Sequence, residues 1–171
     1  MGIAVAGKPV RFRSIAIGGL LLAGAAIAAA TGTAAQEAAV KGRCVTSATK
    51  FMTSATAHFT APAQFTTVPD TQVAFRQKPS RSCVIVRFSA DVFAQSNRVM
   101  LIRAVLDGTT FAEPGTVTFT AGTPSVSEAR SFEFVFPNVA RGKHEIYLEW
   151  RSLSGDDILL GSRTVTVAYG N

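Results

Sequence analysis

The sequence predicts an all-β, single-domain β-sandwich of about eight or nine strands, following an N-terminal signal peptide. Three observations predict it. Apolar residues recur at every second position along most of residues 43–171, no segment there carries a convincing amphipathic helical period, and Gly- and Pro-containing punctuation separates the runs. With 171 residues, 47% hydrophobic and 16% charged, the chain is neither a disordered polymer nor a multi-domain machine nor a multi-pass membrane protein.

Residues 1–35 differ in kind from the rest. Lys8, Arg11 and Arg13 form a basic head without an acid, Ile15 to Ala30 is an uninterrupted apolar run, and small residues lead to Ala35. That order is the pattern of a secretory signal peptide, with cleavage after Ala35 or, as the alternative, after Ala30. A retained anchor is the second reading. As a helix the apolar run rises about 24 Å, short of the roughly 30 Å hydrocarbon core, so no transmembrane segment is expected after cleavage. Phe12 separates the two arginines, so the twin-arginine signal is absent, and no Cys stands at the cut for lipid attachment. The leader holds three of the 17 basic residues and none of the 11 acidic ones, so its removal lowers the net charge from +6 to +3. Bulk basicity then gives no reason to expect nucleic acid. Residues 36–42 read as a short flexible leader to the domain.

The strands follow in order. Val45 to Thr60 and Gln64 to Phe75 are rich in Thr and Ser, broken at Pro62 and Pro69-Asp70, and read as three edge-type strands. Cys83 to Phe93 is β-branched and aromatic. Arg98 to Leu106 is apolar on both faces except at its arginines, as in a strand covered on both sides. Asp107-Gly108 supplies a turn, and Val117 to Thr120 is a short strand between two glycines. Phe132, Phe134 and Phe136 share one face of Ser131 to Phe136, where Pro137-Asn138 is expected to stop the ladder because Pro has no amide hydrogen. Ile146, Leu148 and Trp150 lie on one side of His144 to Arg151. Val165, Val167 and Tyr169 do the same in the closing strand, Arg163 to Tyr169.

Cys44 and Cys83 both lie in the exported part, where two cysteines imply one bridge. It closes a loop of about 40 residues and contributes about 4 kcal/mol in the chain-entropy account. From Asn138 to Tyr169, the runs Gly142-Lys143-His144, Glu149-Trp150-Arg151 and Arg163-Thr164-Val165-Thr166-Val167 resemble the closing hairpin of small secreted bacterial β-sandwich modules, of immunoglobulin-like and jelly-roll types. The resemblance covers about a fifth of the chain and implies an extracellular architecture, periplasmic or external, without an active site. No Trp stands between Cys44 and Cys83, a departure from the true immunoglobulin pattern that leaves topology open.

Signals for chemistry are few. The only histidines are His58 and His144, and no HExxH or CxxC spacing occurs, so neither a metal nor another cofactor is expected. Ser152, Ser154 and Ser162 lack a GxSxG frame. Glu145 and Glu149 share one strand face about 13 Å apart, too far for a glycosidase pair and better suited to pairing with Arg151 or cross-strand cations. Asp156-Asp157 reads as a solvated turn rather than a Ca²⁺ loop. Trp150 falls on the core face. Tyr147 is the better exposed ring, which permits a carbohydrate-binding role without demanding one.

One constellation is sharper. A Cys44–Cys83 bridge draws Lys41 and Arg43 towards Lys78 and Arg81, with Arg76 near, making five cations a candidate anion-binding end. Its partner would be an anionic polysaccharide, a lipid head group or the acidic face of a protein. The expectation is therefore a secreted, non-enzymatic protein that presents a surface for recognition, adhesion or envelope binding. The alternative is a small secreted hydrolase or isomerase, which a recess holding His144 with Glu145 or Asp157 would favour. A third reading is self-assembly through an exposed strand edge.

Overall fold

The computed structural model describes residues 41–60, 63–95, 98–120, 123, 125–153 and 158–171. Residues 1–35, where a signal peptide is expected, residues 36–40 and Asp156-Asp157 lie outside them. Among the described residues the chain forms nine strands and no helix: β1 (Ala48–Ser54), β2 (His58–Thr60), β3 (Thr66–Thr67), β4 (Val73–Phe93), β5 (Met100–Leu106), β6 (Thr110–Phe111), β7 (Val117–Thr118), β8 (Ser127–Ser152) and β9 (Ile158–Tyr169). All pairings are antiparallel.

Two long strands make the sandwich. β4 and β8 pair along almost their whole length, from Val73↔Ile146 to Phe93↔Ser127, and both pass through irregular register between Gln77 and Val84. On one side of this corner, β4 and β8 continue a layer ordered β1-β9-β4-β8. On the other side β8 from Gly142 onward pairs with the start of β4, with β3 and with β5, and β6 and β7 flank β5. Strands that change layer at bulges are how sandwiches turn corners. Val86, Phe88, Phe134, Val165 and Val167 of the first layer join Phe75, Ile102, Ile146, Leu148 and Trp150 of the second in one buried cluster.

The structure corrects one expectation. Pro137 does not end a strand. Phe136 pairs with Val84 and Val139 with Ser82, so Pro137 and Asn138 together oppose Cys83 alone. The proline occupies the bulge, where its missing N–H breaks no ladder bond. The expected segments Ser131–Phe136 and His144–Arg151 are thus two parts of β8, and Phe75 belongs to β4.

Other local choices follow the residues. Asp107 (φ 50°) and Gly108 (φ 77°) occupy the central positions of the β5–β6 turn, closed by the Thr109 N–H donating to the Leu106 carbonyl, 3.2 Å. Left-handed geometry at both positions is what Asp-Gly supports in a tight hairpin. At the end of β9, Gly170 donates its N–H to the Gln77 Oε1 (3.0 Å), and a Cβ there would meet the Pro79 ring at 2.7 Å, so only glycine fits. Cys44 and Cys83 are joined, as the sequence implied, with Cα atoms 5.3 Å apart across 39 residues.

Candidate functional site

The corner positions the basic residues. Arg76 of β4 lies directly opposite Lys143 of β8, and both are exposed. Gln77 pairs with Gly142 and Arg81 with Ala140, so Arg141 faces the irregular segment holding Lys78. The disulfide joins Cys44 to the same segment, and the Ser82 hydroxyl donates to the Val45 carbonyl, 3.3 Å. Chain reach then keeps the Cα atoms of Arg43 and Arg81 within about 16 Å. Lys41, Arg43, Arg76, Lys78, Arg81, Arg141 and Lys143 are all exposed. Among the described residues, none of the seven takes part in an ion pair. The five expected cations occupy the corner region; Arg141 and Lys143 join them, and only the β4–β8 register reveals it.

Like charges directly opposite one another on a strand pair destabilise it. Elsewhere on the sheets the opposite rule holds. Arg87 meets Glu133 across the strands at 2.8 Å, and Arg103 meets Glu149 at 2.7 Å. Glu145 borders the cations two residues along β8, but it faces Ala74. The corner therefore gathers cations that the net charge alone does not reveal, with Glu145 as an exposed acid on the same face of β8.

His144 has a different partner from those expected. Its Nδ1 lies 2.7 Å from Asp107 Oδ2 and its Nε2 lies 2.9 Å from the Ala140 carbonyl oxygen. Asp107 comes from the β5–β6 turn and also accepts the Glu145 N–H, 2.9 Å. Both ring nitrogens lie against oxygens, so the ring is held between the β5–β6 turn and the bend of β8. Among the described residues no three His, Cys, Asp or Glu side chains gather as a metal requires.

Outside the second layer, the Arg103 guanidinium lies over two rings, 3.9 Å from the Phe65 centroid and 4.2 Å from that of Phe111. Its Nε donates to Glu149 at 2.7 Å. Cation–π contacts of this kind contribute about 0.5–1 kcal/mol each at exposed sites. Glu149 thus pairs with the cross-strand cation, Trp150 is buried at 3% exposure, and Tyr147 is half-buried. Phe111, 50% exposed, is a ring the sequence did not single out. It lines a recess of about 440 Å³ between the β5–β6 hairpin and the bend of β8.

No protein-family model and no curated protein matches the chain. Among solved structures it is similar to the sugar-binding C-terminal domain of EclA, at 9% identity and a TM-score of 0.37, covering 78% of this chain and 86% of that one. It is also similar to the C-terminal CBM6 of LamC from Zobellia galactanivorans, at 14% identity and a TM-score of 0.35, covering 70% and 99%. The mosquito-larvicidal Cry4Aa toxin of Bacillus thuringiensis overlays at 8% identity and a TM-score of 0.37 on 58% of this chain. The chain spans 18% of the length of that toxin. Overlays this loose carry neither family nor activity.

Proposed function

We propose that the chain is an exported, non-catalytic binding module whose cation-rich corner engages an anionic polysaccharide. The observation that carries this reading is the Arg76–Lys143 cross-strand pair, set among five more exposed cations that have no ion-pair partner among the described residues. A repulsive arrangement costs stability in the free protein and is relieved when an anion arrives. Five of the cations follow the β4–β8 pair through its bend, and Lys41 and Arg43 are tethered beside it by the bridge, an array that suits the repeated charges of a polymer better than a single phosphate. The Cys44–Cys83 bridge suits an oxidising compartment, in keeping with the signal-like leader. Catalysis is disfavoured by His144, whose two nitrogens are both engaged by acceptors.

Retention on immobilised polygalacturonate tests the proposal. The exported protein is expected to bind at low salt and elute by about 0.5 M NaCl, where the screening length falls towards a few ångströms. Paired Lys78→Glu and Arg81→Glu substitutions are expected to weaken retention at least about tenfold, a loss of about 1.4 kcal/mol. Arg141→Glu with Lys143→Glu is expected to do the same. Retention unchanged in both double variants would overturn the assignment, as would binding to anionic phospholipid vesicles without binding to polygalacturonate.

A further inference from the structure

The recess beside the corner has its own chemistry. Its floor is apolar, built from Leu106, Phe136 and Val139, all buried. Phe111 forms one wall, and Glu113 and Asn138, both exposed, supply a carboxylate and an amide. At about 440 Å³ it falls in the size range of small-ligand sites and has room for one or two sugar rings.

Phe111 is an exposed ring held in place. Arg103 lies over it at 4.2 Å, and Arg103 is itself fixed by Glu149 and by the Phe65 ring. A ring already ordered loses little entropy when a ligand stacks on it. Flat apolar surface beside hydroxyl-binding groups matches a pyranose, which presents a C–H face and a rim of hydroxyls. The charge of the walls narrows the choice. Glu113 and the nearby Asp107 disfavour an acidic unit, and both His144 nitrogens are engaged, so His144 is wall rather than donor. Ala140 and His144 line the recess, and Arg141 and Lys143 lie between them in sequence.

We infer that this recess is a single-unit subsite for an uncharged pyranose of the same glycan, stacked on Phe111 and hydrogen-bonded by Glu113 and Asn138. Its flanking acidic units lie on the cationic corner. The assignment of the glycan rests on the reading proposed above, whereas the recess is tested separately from it.

The experiment is a ¹H–¹⁵N NMR titration of the exported protein with D-galactose, D-glucose, D-mannose and D-xylose, alongside polygalacturonate retention. At least one sugar is expected to shift the amides of Phe111, Glu113 and Asn138 saturably at millimolar concentration. Phe111→Ala and Asn138→Ala are expected to weaken that binding at least about fivefold, and Phe111→Tyr, which keeps the ring, to preserve it. Unshifted recess amides with every sugar overturn the subsite, even where polygalacturonate retention stands. Saturable shifts that survive Phe111→Ala, in a variant with wild-type amide dispersion, overturn it as well. Recess shifts in a protein that polygalacturonate does not retain support the subsite and remove the corner reading instead.

Discussion

Arg163→Met is expected to lower the free energy of unfolding by about 3 kcal/mol, because one buried cation ties three segments together. Arg163 is 2% exposed and stands on the inward face of β9. Its Nε donates to the Pro69 carbonyl at 2.8 Å, its Nη1 to the Thr56 and Gly161 carbonyls at 2.5 and 3.2 Å, and its Nη2 to Asp70 Oδ2 at 2.9 Å. Burial pulls the guanidinium below its ordinary pKa, and the charge and hydrogen bond of Asp70 pull it back up. Methionine fills part of the volume and leaves the Thr56 and Pro69 carbonyls without their donor, at about 1–3 kcal/mol for each such group if it stays dry. The Asp70 side chain is 50% exposed and regains water, so its lost ion pair adds little. Urea denaturation reads the effect as a lower midpoint at unchanged slope. A loss below about 1 kcal/mol would show that the bonds are replaced by solvent.

Removing the bridge is expected to cost about as much or more. Paired Cys44→Ala and Cys83→Ala substitutions release a loop spanning 39 residues, a loss of about 4 kcal/mol from unfolded-state entropy. The fold should survive, because β1 keeps its seven-residue ladder with β9 and Ser47 still donates its N–H to the Tyr169 carbonyl, 2.9 Å. Lys41 and Arg43, by contrast, lose the link that holds them to the corner. Stability and polygalacturonate retention should therefore fall together, with β-sheet circular dichroism retained. A midpoint unmoved by reduction would contradict the entropic account, and unmoved retention would remove Lys41 and Arg43 from the site.

Alternation made much of the fold legible. Trp150 shares parity with Ile146 and Leu148, and all three are buried. The same parity places Arg163 with Val165, Val167 and Tyr169, so a cation on an apolar face was visible in the sequence, although its three carbonyl partners were not. Gly161 lies on β9 itself, but Thr56 and Pro69 are brought to Arg163 only by long-range pairing. Pro137 misled for a related reason. A proline predicts only that its own N–H is missing from the ladder; whether the strand ends or bulges depends on the opposing residue, here Cys83.

The candidate site was half legible. The cysteines announced that residues 41–43 would join residues 76–81, since a covalent link needs no knowledge of register. Arg141 and Lys143 enter through the β4–β8 pairing, and Asp107 reaches His144 from a turn 37 residues away. Phe111 drew no reading of its own in the sequence, because phenylalanine most often fills a core. Its exposure follows from its place on a two-residue strand at the sheet margin.

The central claim is that the β4–β8 corner binds a polyanion through uncompensated charge. The most direct measurement compares the affinity of the protein for polygalacturonate and for uncharged dextran across a series of NaCl concentrations. The account predicts much tighter binding to polygalacturonate than to dextran, falling steeply between about 0.05 and 0.5 M salt as screening shortens from roughly a nanometre to a few ångströms. Equal affinity for both polymers, or polygalacturonate binding indifferent to salt, would contradict it.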